Sequence, residues 1–491
     1  MGGRTGERMI PGKAHRRGRQ GWAPMLGLLL FADTGMPGPS LPPAGIVAAT
    51  LDARPQTLHF GAATVEGMTY NGDYAGPVLR VRPGERLRIE LINHLPEPTN
   101  LHFHGIHTSP GGNSDNVAIV VAPGARFTYE VEIPASQPPS LYWYHAHLHG
   151  IAERQIRGGL SGALVVEGLA EAFPALAGIG EELFVLKDME FEASDDPVID
   201  GEFHGLIQSI NGLTMTELRL RPGETRLWRF SNQSSNLYFH LGIEGQRFHV
   251  LAEDGIALQN PVDLSSLDIK PASRLEVLVT GGAPGRYDLV SYRVPTGSGE
   301  TERPNRVLGH LTVEGDAVGP TAHPASHSPA ADLLGRPIDA RRRFDLSQSK
   351  DGEHFFIDGK EFDHARLDLR VPLGNVEEWT IRNSSDDLHV FHIHQVSFQI
   401  VEINGQPQPF DGQVDVARIP ERGEIKIRLA FTDPKILGRF VYHCHVLKHE
   451  DKGMMANIEV YDPAAESAKP DPEPLRTGSL NLPGAICSIR R

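Results

Sequence analysis

Three stretches of the chain spell nearly the same phrase: VRPGERLRIELIN at 81–93, LRPGETRLWRFSN at 220–232 and RVPLGNVEEWTIRN at 370–383. Each is a Pro/Gly turn followed by an alternating strand that ends on Asn93, Asn232 or Asn383. The turn prolines Pro83, Pro222 and Pro372 lie 139 and 150 residues apart. A repeat of that length is a whole domain, and at roughly 150 residues per domain a 491-residue chain has room for about three. Around each phrase run short alternating or β-branched segments (LRIEL, RFTYEVEI, LEVLVT, FQIVEI) broken by Gly, Pro and Asn-Gly, with no long stretch of helical period. The pattern predicts an all-β chain of three tandem antiparallel Greek-key sandwiches or barrels.

The domains expected from these repeats are 50–170, 171–314 and 338–462. A Pro-, Ala- and Ser-rich segment at 315–337 suits an exposed linker, and 463–491 reads as a polar tail. Residues 1–49 read as an export leader: Arg4, Arg8, Lys13, Arg16, Arg17 and Arg19 precede the apolar run Ala23–Ala32, which is too short to be a membrane anchor. The Arg16-Arg17 pair hints at a twin-arginine signal, although the residues after it match poorly. The expected location is therefore periplasmic or secreted, with no integral membrane segment. A net charge of −15 argues against nucleic acid as a general partner. Two Cys exclude a disulfide framework, whereas 23 His is a large number.

The histidines follow the repeats. Nine residues beyond Asn93 stand His102 and His104, and nine beyond Asn383 stand His392 and His394. A second His-x-His closes each of these copies: His145 and His147 in the first, His443 and His445 in the third. On a strand, residues i and i+2 share a face, so each pair presents two imidazoles in one direction, as metal ligation requires. Copy two has Leu241 and Ile243 at the first position and Ser291 near the second, and reads as a spacer. Eight imidazoles would converge if copies one and three packed face to face. Between the last two sits Cys444, with His389 upstream and His449 and Met454 downstream. Two imidazoles, a thiolate and a thioether make a blue-copper ligand set. Copy one has Ala146 where copy three has Cys444, so one such centre is expected and Cys487 is left without an evident role.

HFHG, YWYHAH, HVFHIH and HCHVLKHEDKGMM resemble, in order, the four copper-binding signatures of the multicopper oxidases, the family of laccases and bacterial copper-efflux and spore-coat oxidases; the resemblance spans about residues 50–462. It implies three cupredoxin-like domains and four copper ions. His389, Cys444, His449 and axial Met454 would hold the type 1 ion, and His102 and His392 the type 2 ion. His104, His145 and His445 would hold one type 3 ion, and His147, His394 and His443 the other. Phe103 and Val390 depart from the usual Trp and Pro at positions that are not ligands.

The implied reaction passes electrons from a small-molecule reductant through Cys444 to a cluster that reduces O2 to water. Glu450 falls where bacterial members place a proton-donating glutamate, with a surface acid as the alternative; Asp115 resembles an aspartate near the type 2 ion, with a turn-forming Asx role equally open. The family also implies electron entry at the His389 edge, where Asp386 and Asp387 could steer substrate or simply be solvated. His107 and His149 read as supporting or surface histidines, and His94, His240 and His249 as structural. Nine Met without a cluster beyond Met454-Met455 weigh against a dedicated cuprous oxidase. The leading expectation is thus a laccase-like oxidase of phenols and aromatic amines. Ferrous, cuprous or bilirubin oxidation, copper nitrite reduction and non-catalytic copper binding are the alternatives.

Overall fold

The repeated phrase becomes the same object three times. In the computed structural model, which describes residues 45–467 apart from 62, 191–205, 296–304, 320 and 325–329, the phrase strands are Arg86–Asn93, Thr225–Asn232 and Val376–Asn383. Each is the centre of a sheet and pairs in parallel with the strand that opens its copy, in the registers Ile46↔Arg86, Glu181↔Leu227 and Ala340↔Glu377. A second sheet faces it in every copy, four strands on four in the first and five on six in the other two.

The terminal asparagine explains why the phrase ends where it does. Each is fully buried, and its side-chain amide donates to two loop carbonyls: Glu97 and Val121 for Asn93, Leu237 and Ile269 for Asn232, Asp387 and Pro420 for Asn383. Its Oδ1 in turn accepts the backbone N–H two residues on, at Leu95, Ser234 and Ser385. A buried loop needs its polar groups paired, and one Asn satisfies three of them.

Between the paired sheets lie three apolar cores. One is built around Leu87, Ile89 and Leu91, the next around Trp228 and Phe230, and the third around Trp379 and Ile381. In each case the inward residues are alternate positions of the phrase, as the period of two dictates.

Three expectations need amending. The sheets are mixed rather than purely antiparallel: besides the opening strand, 79–81, 216–220 and 369–372 pair in parallel with 161–166, 306–313 and 455–461, because long connections bring these strands in from the opposite end of each sandwich. The first strand begins at Ile46, inside the segment assigned to the leader. The linker is not freely exposed either: Leu333 is buried, its N–H bonds Gln399 Oε1 at 2.7 Å, and Arg428 donates to the carbonyls of Leu333 and Leu334. The remainder of the leader, the tail beyond Ser467 and Cys487 lie outside the described residues. Among the described residues no helix is long and apolar enough to cross a membrane.

Asn232→Ala removes four buried hydrogen bonds in the copy that carries no histidine pair. It should lower stability by about 2–4 kcal/mol in chemical denaturation and leave copper content unchanged.

Candidate metal centres

The two histidine-bearing copies are locked together face to face. Asp451 accepts from the N–H groups of Gly150, Ala152 and Glu153 at the start of the short helix Ala152–Gly158, and Gln395 reaches across to Thr108 and Asp115. The cross-strand registers of the two copies coincide, His102↔His145 in one and His392↔His443 in the other. Copy two has the same register with Leu241↔Ser291, so its difference is in side chains alone.

All eight paired histidines are buried, and their rings interleave across the junction. His102 stacks on His394 at 3.8 Å between ring centroids, and His104 on His392 at 3.9 Å. The Nε2 atoms of His102, His104, His145, His392 and His445 have no hydrogen-bond partner at all. Those of His147 and His394 meet only His443 Nε2, at 3.3 and 3.2 Å. So many buried nitrogens facing one another cannot satisfy themselves.

The opposite edges of four of them are held. Nδ1 of His102 faces Asp115 Oδ1 at 2.9 Å, and those of His145, His392 and His443 face the carbonyls of Ala146, Asp415 and Cys444 at 2.9, 2.7 and 3.1 Å. A proton held on Nδ1 leaves the Nε2 lone pair free for a metal. Burial pushes each of these imidazoles below its ordinary value, most strongly His102, His104, His145, His392, His394 and His445, so they are neutral near pH 7. Neutral, converging and unpartnered imidazoles fit resident metal ions. The trio His147, His394 and His443 matches one type 3 set expected from the sequence, while His102 and His392, the expected type 2 pair, approach together with His394.

On the far side of the strand Gly438–Cys444, the thiol of Cys444 lies 3.6 Å from Nδ1 of both His389 and His449, whose own Nδ1 atoms are 3.1 Å apart. The alternation of the strand sends His443 and His445 to the imidazole nest and Cys444 to this second cluster. The His389 tautomer is fixed by the repeat itself: its Nε2–H donates to Ser385 Oγ at 2.9 Å, and Ser385 donates onward to Asn383 Oδ1 at 2.7 Å. Nδ1 of His389 is left as a lone pair toward sulfur. Met454 is fully buried beside them, with its carbonyl on the Cys444 N–H and its N–H on the His449 carbonyl. Burial pushes the Cys444 thiol up to about 12 and His389 down to about 3. The pocket thus disfavours a bare thiolate, and a soft cation able to replace the thiol proton is what it fits.

Asp115 and Glu450 are both at the nest and both buried. Asp115 accepts from His102, from the Phe103 N–H at 2.9 Å and from Gln395 Nε2 at 2.6 Å. These contacts place it against the nest instead of in a free Asx turn. Glu450 stands 3.0 Å from His443 Nδ1 and 3.6 Å from His147 Nδ1, with neither carboxylate oxygen in an aligned hydrogen bond. The surface-acid alternative does not hold, since Glu450 is 0% exposed. Burial pushes both carboxyls up to about 7.

The two histidines of the thiol cluster differ in exposure, and not in the sense expected from the sequence. His389 is 0% exposed and its outer nitrogen is covered by Ser385. His449 is the partner at 8% exposure, and it lines a cavity of about 730 Å³ walled by residues of all three copies. Asp386 and Asp387 do border that cavity. Of the other histidines, His107 bonds Ser397 Oγ at 3.0 Å, and His149 packs on Phe362 and His364 at the junction of copies one and three. His249, read as structural, gathers with Asp263 and His323 at the surface, a contact across some 70 residues that no local motif announces.

With this geometry in place the comparisons are unambiguous. The chain matches the multicopper oxidase family over residues 53–171, 185–313 and 336–464, and it belongs to that family. It is 29% identical over 409 residues to the multicopper oxidase mco of Staphylococcus epidermidis, covering 80% of this chain and 83% of that protein. It is 27% identical over 413 residues to the cell division protein FtsP of Escherichia coli, covering 79% and 84%. Among solved structures it resembles a multicopper oxidase from Campylobacter jejuni described as a metallo-oxidase, with TM-score 0.72, 26% identity and coverage of 85% and 92%. It also resembles a laccase-like multi-copper oxidase, CueO, from Ochrobactrum sp., with TM-score 0.71, 28% identity and coverage of 86% and 100%. The copper that the family implies is consistent with both clusters of donors.

Because the Cys444 proton must leave and the two imidazoles of its cluster are already neutral, copper(II) affinity at this cluster should rise about tenfold per pH unit between about pH 6 and 8. Titration of the blue absorption band measures it. Cys444→Ser should abolish the band and leave the imidazole nest able to bind metal, read by metal analysis.

Proposed function

We propose that the protein is a laccase-like oxidase that takes single electrons from phenols or aromatic amines and delivers them to O2, giving water. The observation that carries this reading is the cavity over His449, the one thiolate-cluster histidine it reaches. Bound copper would supply the one-electron acceptor at Cys444 and the site of O2 reduction in the imidazole nest, with four ions expected from the family.

The chain's own residues set the rest. The substrate edge is His449, whose ring is backed by Phe355 in a stack of 4.2 Å. Leu237, Tyr238 and Leu388 give the cavity an apolar side. Among the described residues six carboxylates also line it, but each is engaged: Asp386 by Arg422 at 2.6 and 2.8 Å, Glu353 by Lys452, Glu153 by Arg157, Asp188 by Ser235, Asp387 by Gln348 and Asp351 by Ser349. A ferrous or cuprous ion would have to compete with these partners, and among the described residues no methionine lines the cavity. A neutral aromatic reductant need not, which favours the organic reading over the metallo-oxidase one suggested by the Campylobacter relative.

From His449 the route inward is short: Cys444 is bonded on either side to His443 and His445. Glu450 holds a proton near neutral pH within reach of His443 Nδ1, and Asp115 holds another beside His102. These two carboxyls are the groups placed to hand protons to reducing O2, because the buried nest offers no others with a raised pKa in contact with its rings. A copper-binding or cell-division scaffold without turnover would not need a thiol covalently joined to two nest histidines, nor buried acids beside them. The basic leader is consistent with export, which would place the enzyme outside the cytoplasm.

The copper-loaded protein should consume O2 with a phenol and release no peroxide, with kcat/KM for the phenol above that for ferrous or cuprous ion. Blue colour without O2 uptake would overturn the reading. Glu450→Gln should slow reoxidation by O2 by about 100-fold and leave anaerobic bleaching of the blue band by substrate unchanged, in stopped-flow measurements.

A further inference from the structure

Copy two has no histidine pair, yet one of its side chains ends against the imidazole nest. Arg274 opens the strand Arg274–Thr280 in copy two and is 1% exposed. Its guanidinium binds Asp415 of copy three as a fork, Nη1 to Oδ1 at 2.8 Å and Nη2 to Oδ2 at 2.7 Å. Nη1 also lies 3.3 Å from Nδ1 of His104 in copy one and donates to the Ala272 carbonyl at 3.0 Å, and Nε donates to the carbonyl of Leu141 in copy one at 3.4 Å. One buried cation therefore touches all three copies. Gly105, directly after His104, leaves room for it: at its φ of +83° a Cβ would lie 2.7 Å from both Arg274 Nη2 and Asp415 Oδ2.

Asp415 serves two nest rings. Its backbone carbonyl accepts from His392 Nδ1 at 2.7 Å, and its Oδ2 lies 3.9 Å from His104 Nδ1. The nearest polar group to His104 Nδ1 is Arg274 Nη1 at 3.3 Å, a donor, with Asp415 Oδ2 behind it, so the guanidinium meets that ring edge directly. Without Arg274 that carboxylate would be a buried charge with no partner and nothing to hold its direction.

We propose that Arg274 is a positioning residue of the multicopper centre: it meets the ring of His104 directly and fixes Asp415, whose carbonyl holds His392, so that copy two takes part in metal loading of the nest and not only in spacing. This rests on reading the nest as a copper site. His389, Cys444 and His449 make none of these contacts, so the thiolate cluster is outside its reach.

Two variants test it. Arg274→Lys keeps a charge and loses the fork; Arg274→Met combined with Asp415→Leu and Asp254→Asn removes the buried cation together with the two buried carboxylates within 4 Å of it. In both, the type 2 copper signal in electron paramagnetic resonance should weaken, with affinity for that ion down about 10–100-fold, while the blue band of the Cys444 cluster keeps its intensity. A type 2 signal of wild-type strength in both variants would overturn the proposal, and so would a parallel loss of the blue band, which would mark a merely structural role. If the wild-type protein loaded with copper shows no type 2 signal, the reading of the nest itself fails, and that outcome is seen before any variant is made.

Discussion

Eight neutral imidazoles forced to face one another in a buried junction is the constraint on which the rest of this molecule depends. The arrangement has no good solution among its own atoms. Five Nε2 lone pairs point at nothing and three compete for one another, so the junction of copies one and three is incomplete as a piece of protein packing. Binding energy that a cation would release there is available to hold the two domains together. The surrounding pairings, Asp451 on the helix at Ala152 and Gln395 on Asp115, are what keep the domains docked closely enough for the nest to persist.

The second cluster answers a different requirement with the same strand. A sheet strand can serve two sites at once because its side chains alternate, and Gly438–Cys444 does so, with sulfur to one side and imidazoles to the other. What makes this economical is the asparagine staple. In copies one and two it only pins loops; in copy three the same Asn383 reaches His389 through Ser385, so a structural habit of the repeat also sets a tautomer. The ligand geometry is thus inherited from the fold, and the copper chemistry is added by changing a few side chains at fixed positions.

Much of this was legible beforehand because it is periodic. The phrase ending in Asn93, Asn232 and Asn383 announces three copies, and His-x-His at equal offsets announces paired imidazoles; the structure sets the pairs opposite one another in matching registers, with Leu241↔Ser291 in the copy without them. Legibility stopped where contact depends on packing between copies. Exposure of His389 versus His449 is decided by Ser385 and by a cavity wall drawn from three parts of the chain, and no spacing encodes that. Parallel pairing of the opening strands was hidden for the same reason: strand periodicity is identical in parallel and antiparallel partners.

Arg274 is the sharpest instance of what spacing conceals. In the sequence it is one arginine among many at the start of an ordinary strand, in a copy whose lack of histidines suggests that it can be ignored. Its role becomes visible only when three domains close on one point, since its partners in the other two copies lie 133 to 170 residues away. A buried guanidinium is tolerated only when its donors are used and its charge is met, and here both conditions are satisfied by groups next to the nest. The same burial that obliges Arg274 to find Asp415 also obliges the nest to form around a fixed carboxylate, which makes domain two a participant in the centre even though it supplies no ligand.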